Sequence, residues 1–177
     1  MINLDYITKA TSRKALREMS VYFRKLFGVD ETSPFPVLYA VERVPDVFPG
    51  SRCEIVPDNT FPPDTPARCR LDDDGNFLIE IKECIYDGAY KKHIGAYRGF
   101  IVHELCHVFL YKVGFTPVLN RSFDNGDIVR FCSVEWQAKA LCGEVMMPYE
   151  ATERMTRDEV MRVYGVSKGF ADTRRRY

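Results

Sequence analysis

Residues 103 to 107 read His-Glu-Leu-Cys-His, a set whose residue types and spacing could carry out chemistry. On a helix, positions i and i+4 lie on the same face, so His103 and His107 can bind one tetrahedral zinc ion. Glu104 lies about 100° round the helix from His103. Its carboxylate can take a proton from a water that zinc polarises, and later pass it to a leaving amine. The motif therefore predicts a zinc hydrolase with a role for each of the three residues.

The competing interpretation is a chance motif whose histidines are ordinary core or surface residues. The chain has 3 histidines, and two of them fill the motif. Residues 99–110 are otherwise largely apolar. Burying two imidazoles and a carboxylate among them is costly without a metal or other partners. We therefore favour the metal site.

A catalytic zinc takes three protein ligands and keeps one position open, so a third ligand is required. The candidates are carboxylates that follow the motif: Glu135, Glu144, Asp124 and Asp127. Glu135 is favoured because Trp136, Ala138 and Leu141 would pack its helix, whereas Glu144 is equally compatible with a solvated or ion-paired side chain. We find no convincing fourth ligand, which argues against a closed structural site.

Hydrophobic periodicity and turn residues predict the elements that position these side chains. Helices are expected at about residues 12–27, 97–113 and 128–147, with shorter ones after Thr156 and Ser167, and residues 120–127 are expected to form a polar loop. Strands are expected at residues 37–42, 53–56, 67–71 and about 76–84, the last two as a hairpin. Strands segregated from helices indicate the α+β class. We expect a main domain at residues 1–150 and a C-terminal helical appendage at 151–177.

Composition excludes several classes of protein. The chain of 177 residues has 46% hydrophobic and 28% charged residues, which are ordinary values for a globular protein. Lys plus Arg (25) balance Asp plus Glu (25), so no global charge points to nucleic acid. We find no secretory signal and no apolar stretch that could span a membrane. The 6 cysteines show no framework spacing. We therefore expect a cytoplasmic protein with reduced, mostly buried thiols.

Two stretches carry a resemblance to a known family: RGFIVHELCH at 98–107 and EWQAKALCGEVMMP at 135–148. Together they resemble the ImmA/IrrE metallopeptidases, whose members carry an R-F-T-x-A-H-E-x-G-H-like helix and, later, an E-x-x-A-N-x-F-A-x-x-L-L-M-P-like helix. The likeness covers about residues 10–150. It implies a gluzincin-like, zincin-type fold with a small, mostly antiparallel sheet packed on two site helices. It also implies that His103, His107 and Glu135 bind one catalytic Zn²⁺ and that Glu104 is the general base.

The chain departs from the family pattern at two positions. Cys106 stands where the family usually has Gly. We favour a buried packing thiol over a metal or redox role for it. Lys139 stands where the family usually has Asn, i+4 from Glu135. It could pair with Glu135, compete with the metal or reach an oxyanion, and we favour a solvated lysine.

Substrate contacts are less well specified by the sequence. In related zinc peptidases the substrate adds a strand to a sheet edge, and residues 77–82 are the expected edge. Possible oxyanion donors or substrate contacts are Tyr97, Arg98 and Tyr149, although a structural role is the favoured interpretation for each, and Arg98 could pair with an acidic side chain. His93 is expected to be exposed.

The resemblance implies a protein substrate, because known members act on transcriptional repressors or regulators in phages, mobile elements or stress responses. We therefore expect a zinc endopeptidase that cleaves a helix-turn-helix repressor, without direct contact to nucleic acid or membrane. The alternative is a regulatory binding module with a zincin fold and little or no proteolytic activity. A DNA-binding role for the C-terminal segment with its three arginines is the weaker interpretation.

Overall fold

The computed structural model describes residues 5–118 and 128–174. Within them lie one short 3₁₀ turn, Arg130–Cys132, and a small three-stranded sheet. The strands are β1 (Arg52–Val56), β2 (Ala67–Leu71) and β3 (Phe77–Lys82). The helices are α1 (Arg13–Leu26), α2 (Val37–Glu42), α3 (Val44–Val47), α4 (Glu83–Lys91), α5 (Gly95–Lys112), α6 (Val134–Met146), α7 (Tyr149–Thr152), α8 (Arg157–Tyr164) and α9 (Lys168–Arg174). The α+β class is confirmed. The predicted loop at 120–127 lies outside the described residues.

The sheet has the order β1-β3-β2, with β3 parallel to β1 and antiparallel to β2. The expectation of a mostly antiparallel sheet is therefore wrong: the sheet is mixed. After β1 the chain crosses to the far edge, forms β2, and returns through the predicted hairpin into the centre. β3 consequently pairs with a strand on each side, and all of its residues are buried. Its polar face is closed by Glu80, which accepts hydrogen bonds from Arg68 Nε (2.7 Å) and Arg70 Nε (2.9 Å).

The predicted strand at 37–42 is wrong, since these residues form α2. Pro36 precedes the helix, and the buried residues of this region are Val37, Ala40, Val41 and Val44. That spacing of three and four is helical and does not alternate as in a strand. Helix α4 was not predicted, because residues 83–84 were assigned to the preceding strand.

The two site helices form the centre of the molecule. α5 buries apolar side chains along most of its length, and α6 packs between α5 and the N-terminal helix α1. Ser12 and Ser133 cap α1 and α6, each accepting a hydrogen bond from a backbone N–H in the first turn. The predicted helix at 128–147 therefore begins later than expected, at Val134. Thr156 and Glu159 form the predicted capping box of α8.

Glu144 on α6 is fully buried and lies among arginines from both ends of the chain. Its carboxylate is 3.1 Å from Arg13 Nε, 3.3 Å from Arg17 Nε and 2.8 Å from Arg174 Nη2. Of the interpretations considered for Glu144, the ion pair is thus the one observed. Arg174 is itself buried, so it is not available to contact phosphates. This cluster joins α1 and α9 to the helix that carries Glu135.

Replacing Glu144 by Gln should destabilise the protein strongly. The variant leaves buried guanidinium groups without their counter-charge, a change that typically costs about 3–5 kcal/mol. Urea denaturation followed by the fluorescence of Trp136, the only tryptophan, measures the loss. The exposed Glu150 provides the matched control, for which Glu150→Gln should change stability by less than about 0.5 kcal/mol. Equal stability of the two variants would contradict the structural role given to Glu144.

Candidate metal centre

His103 and His107 project from one face of α5, as their spacing predicts. Their Nε2 atoms lie 3.0 Å apart, and the two rings meet edge to face with centroids separated by 4.6 Å. Both side chains are mostly buried, each with 17% of its surface exposed. Two imidazole nitrogens that both present lone pairs would repel each other at this distance. The arrangement therefore requires a proton or a cation between them.

Glu135, in the first turn of α6, brings a carboxylate to the same point. Its Oε2 lies 3.3 Å from His103 Nε2, and its Oε1 lies 3.1 Å from His107 Nε2. One ligand atom from each of the three residues lies within 4.8 Å of the others. The three side chains therefore form a group that could hold a metal ion. Residues 124 and 127, the aspartates considered as alternative ligands, lie outside the described residues.

The electrostatics of the group favour a positive charge at its centre. Hydrogen bonds from His103 and His107 hold the pKa of Glu135 well below its usual range. Burial lowers the pKa of His103. Burial also acts to lower the pKa of His107, but its hydrogen bond to Glu135 and the charge of Glu104 outweigh this, so that pKa is raised. A proton held between these groups would occupy the position that a metal would take, and metal binding would displace it.

Glu104 faces the same cavity beside the metal group without joining it. Burial raises the pKa of the Glu104 carboxyl to about 7, although the nearby His107 and a hydrogen bond from the Cys69 backbone N–H act in the opposite direction. A divalent cation beside this carboxyl would stabilise its ionised form and lower the pKa again. The Glu104 carboxyl is therefore held against β2, next to three potential metal ligands.

The strand beside the metal group is β2, so the prediction that residues 77–82 form the edge is wrong. β3 lies in the centre of the sheet, whereas β2 is an edge strand in contact with α5. Pro66 C=O accepts a hydrogen bond from Lys82 N–H, and Cys69 N–H points instead to Glu104. In an antiparallel pair this direction alternates along the strand, so Ala67, Cys69 and Leu71 turn their backbone groups away from β3.

A segment at residues 5–11, which we call the N-terminal strap, fixes the beginning of α6. The Asp5 carboxylate accepts hydrogen bonds from Glu135 N–H (3.1 Å) and from the hydroxyl of Ser133. The strap also bonds through its backbone to Cys132, Val134 and Val118. Sequence reasoning missed Asp5, since it lies 130 residues from Glu135 and belongs to no local motif.

The metal group lies in a cavity of about 590 Å³, which we call the metal cavity. Its walls include the N-terminal strap, residues 64–69 around the start of β2, and one side of α5 and α6. Phenol and ammonium groups are present on these walls: Tyr6, Tyr111 and Lys139. Such groups could donate hydrogen bonds to a ligand bound at the metal.

Tyr97, Arg98 and Tyr149, the three donors considered from the sequence, do not line the metal cavity. Tyr97 packs against Gly88 and stacks on Phe100, and Arg98 packs against Gly165 at the end of α8. The ring of Tyr149 lies 3.5 Å from the guanidinium of Arg17, beside the Glu144 cluster. The structure thus gives each of the three a packing role.

Cys106, Lys139 and His93 take the positions that the sequence predicts. Cys106 is fully buried and forms a hydrogen bond with Cys142, in agreement with a packing thiol. Lys139 is 66% exposed, with its Nζ 4.0 Å from Glu135 Oε2. It is therefore a largely solvated lysine at the rim of the cavity. His93 is exposed and has a positive φ of 51°.

The cysteines differ from the expectation that most of them are buried. Only Cys106 and Cys142 are buried, whereas Cys84 is exposed and Cys53, Cys69 and Cys132 are intermediate. None of the six is in a disulfide, and all six lie within the described residues.

No protein-family model matches the chain, and no curated protein matches it. Among the described residues, no helix is long and apolar enough to cross a membrane.

Removing either kind of ligand should abolish tight metal binding. We expect the purified protein to bind one Zn²⁺, which serves as the probe ion. His103→Ala and Glu135→Ala should each weaken this binding by more than about 100-fold, because loss of a residue that only supports a ligand already costs about 10–100-fold. Competition with a chromophoric chelator measures the affinity. His93→Ala removes the third histidine of the chain and should bind as the wild type does. Unchanged affinity in either ligand variant would exclude this centre.

Asp5→Ala should weaken zinc binding by about 10–100-fold while leaving all three ligands in place. The substitution removes the acceptor of the Glu135 N–H and of the Ser133 hydroxyl, so the third ligand is held less firmly. The same chelator competition measures the effect, and circular dichroism verifies that the total helix content is unchanged. Asp58→Ala, an exposed acidic position outside the metal cavity, provides the control. If the two variants bind zinc equally well, the N-terminal strap does not position Glu135.

Proposed function

We propose that this protein is a zinc-dependent endopeptidase of the ImmA/IrrE type. The observation that carries the proposal is the convergence of His103, His107 and Glu135 from two helices, with Glu104 beside them. Two histidines, one acidic ligand and an unligated neighbouring carboxylate are the residues that metal-assisted hydrolysis of an amide requires. Membership of the family rests on the two motif-bearing helices.

Zinc is the metal that this donor set favours. In a tetrahedral site with bonds of about 2.0–2.2 Å, neighbouring donor atoms lie roughly 3.3–3.6 Å apart. The two histidine nitrogens, 3.0 Å apart, lie a few tenths of an ångström closer than that, and each faces a different oxygen of the Glu135 carboxylate, at 3.3 and 3.1 Å. Three protein ligands leave one position for substrate or water, as in catalytic sites. When bound, zinc supplies Lewis acidity, which polarises a carbonyl and makes water a better nucleophile at neutral pH.

Glu104 is then the general base. Its carboxylate oxygen takes a proton from the attacking water and afterwards delivers that proton to the nitrogen of the leaving amine. The hydrogen bond from Cys69 N–H keeps the carboxylate directed at the cavity. With a cation beside it the carboxyl is ionised at neutral pH, so it can accept the proton.

The substrate is held as an extended strand along β2. Cys69 N–H is engaged by Glu104, so the backbone groups that face away from β3 and remain for pairing are those of Ala67 and Leu71 and the Cys69 carbonyl. Residues 66, 67 and 69 line the metal cavity. An added strand pairs through its main chain, which binds many sequences alike. The donors available to a developing oxyanion are the cavity groups Tyr6, Tyr111 and Lys139.

The proposed substrate is a transcriptional repressor or regulator in the cytoplasm. The resemblance of the two motif-bearing helices is the support for this assignment. The open, strand-binding cavity is compatible with a protein substrate, because a partly unfolded or flexible segment can enter it in extended form.

Glu104→Gln should retain zinc but lose cleavage. The amide cannot accept the proton, so we expect the rate to fall by at least about 100-fold, the usual contribution of general acid–base catalysis. The measurement is a comparison of new protein N-termini in cells that express the wild type or Glu104→Gln, by mass spectrometry of terminal peptides. Metal content is measured on the same preparations.

Cleavages that occur with the wild type and are absent with Glu104→Gln support the endopeptidase. If the two sets of N-termini are identical, and Glu104→Gln changes gene expression in the same way as the wild type does, the protein acts by binding, as a regulatory module with a zincin fold. A variant that has lost zinc would be replaced by Glu104→Asp, which keeps the charge and moves the carboxylate.

A further inference from the structure

A second cavity, of about 420 Å³, lies on the other side of His103. It is formed between α5, α6 and α9, and we call it the apolar cavity. Its walls include the aromatic side chains of Phe100, Trp136 and Phe170, with Met147 and Ala140. Cavities of this size typically accommodate a bulky apolar group.

The apolar cavity adjoins the metal cavity. Three residues line both and form a common wall: Phe100, His103 and Lys139. His103 is a ligand of the proposed zinc, so a group bound in the apolar cavity lies next to a residue that holds the metal. Trp136 follows the third ligand, Glu135, in the chain. A polypeptide bound at the metal therefore lies next to this common wall.

Two glycines shape the apolar cavity. Gly143 lines it from α6, and a Cβ built on it would meet nothing closer than Arg13 Nη2 at 3.8 Å. Gly99 on α5 permits Phe170 of α9 to approach closely, because a Cβ at Gly99 would lie 2.6 Å from that ring. The C-terminal helix thus forms one wall of the cavity, and the missing side chain at Gly143 leaves space on the α6 side.

We infer that the apolar cavity is the specificity pocket for a large apolar side chain of the substrate, leucine or an aromatic residue, next to the scissile bond. The inference deepens the proposed peptidase function and rests on it. The pocket also explains how the enzyme selects a sequence, because main-chain hydrogen bonds along β2 distinguish little between side chains. Selectivity then comes from burial of one side chain against Trp136, Phe100 and Phe170.

The first test measures binding without cleavage. The zinc-loaded Glu104→Gln protein is titrated with N-acetyl-leucinamide, N-acetyl-phenylalaninamide and, as the matched control, N-acetyl-glycinamide. Trp136 is the only tryptophan, so its emission reports directly from the cavity wall. We expect a saturable change with the two apolar probes and at least about tenfold weaker binding of the glycine probe.

The second test fills the cavity. Gly143→Leu places a side chain in it, whereas Gly169→Ala makes a glycine substitution at an exposed position of α9 that has nothing within 4 Å. We expect Gly143→Leu to weaken binding of the phenylalanine probe at least tenfold and Gly169→Ala to leave it unchanged. Gly143→Ala, with a smaller side chain, should lie between the two and serves if the leucine variant does not fold.

The outcomes separate this inference from the peptidase proposal. Cleavage in cells without any preference for an apolar residue, together with no response of Trp136 to the probes, overturns the pocket and leaves the peptidase standing. Saturable probe binding that Gly143→Leu abolishes supports the pocket even if no cleavage is found. Binding of all three probes with equal strength, or binding that Gly143→Leu leaves intact, overturns it.

Discussion

The structure depends on the meeting of two imidazoles and one carboxylate at one point, where a proton or a cation must lie between them. His103 Nε2 and His107 Nε2 are 3.0 Å apart, and both face Glu135. Without a metal ion an imidazole N–H must lie between the two rings, and hydrogen bonds from the histidines hold the pKa of Glu135 below its usual range. Since α5 and α6 form the centre of the molecule, an ion bound at this point would cross-link the core.

The rest of the fold can be understood as the support that holds α6 against α5. At one end of α6, the N-terminal strap bonds the first turn through Asp5. Towards the other end, buried Glu144 joins α6 to arginines of α1 and α9. Both supports bring together residues far apart in the chain, so the position of Glu135 is set by tertiary contacts rather than by its own helix.

The local parts of the site could be predicted from the sequence, because helical spacing alone places His103 and His107 on one face. The structure places Glu135 beside these histidines, as predicted. The spacing of residues along the chain could not fix this position, because Glu135 lies on a different helix. Strand order could not be predicted either. The central position of β3 follows from a crossover and from burial of Glu80 beneath two arginines, which no alternation pattern reveals. Residues 37–42 are rich in residues that favour strands, yet tertiary burial of one face makes them helical.

X-ray absorption spectroscopy at the zinc edge, on protein loaded with one equivalent of Zn²⁺, reports directly on the atoms that surround the ion. We expect nitrogen and oxygen scatterers at about 2.0–2.2 Å, with the outer-shell signature of two imidazole rings. A sulfur scatterer at about 2.3 Å, which would bring in a thiol such as Cys69 of the metal cavity, or a spectrum without imidazole, would contradict it.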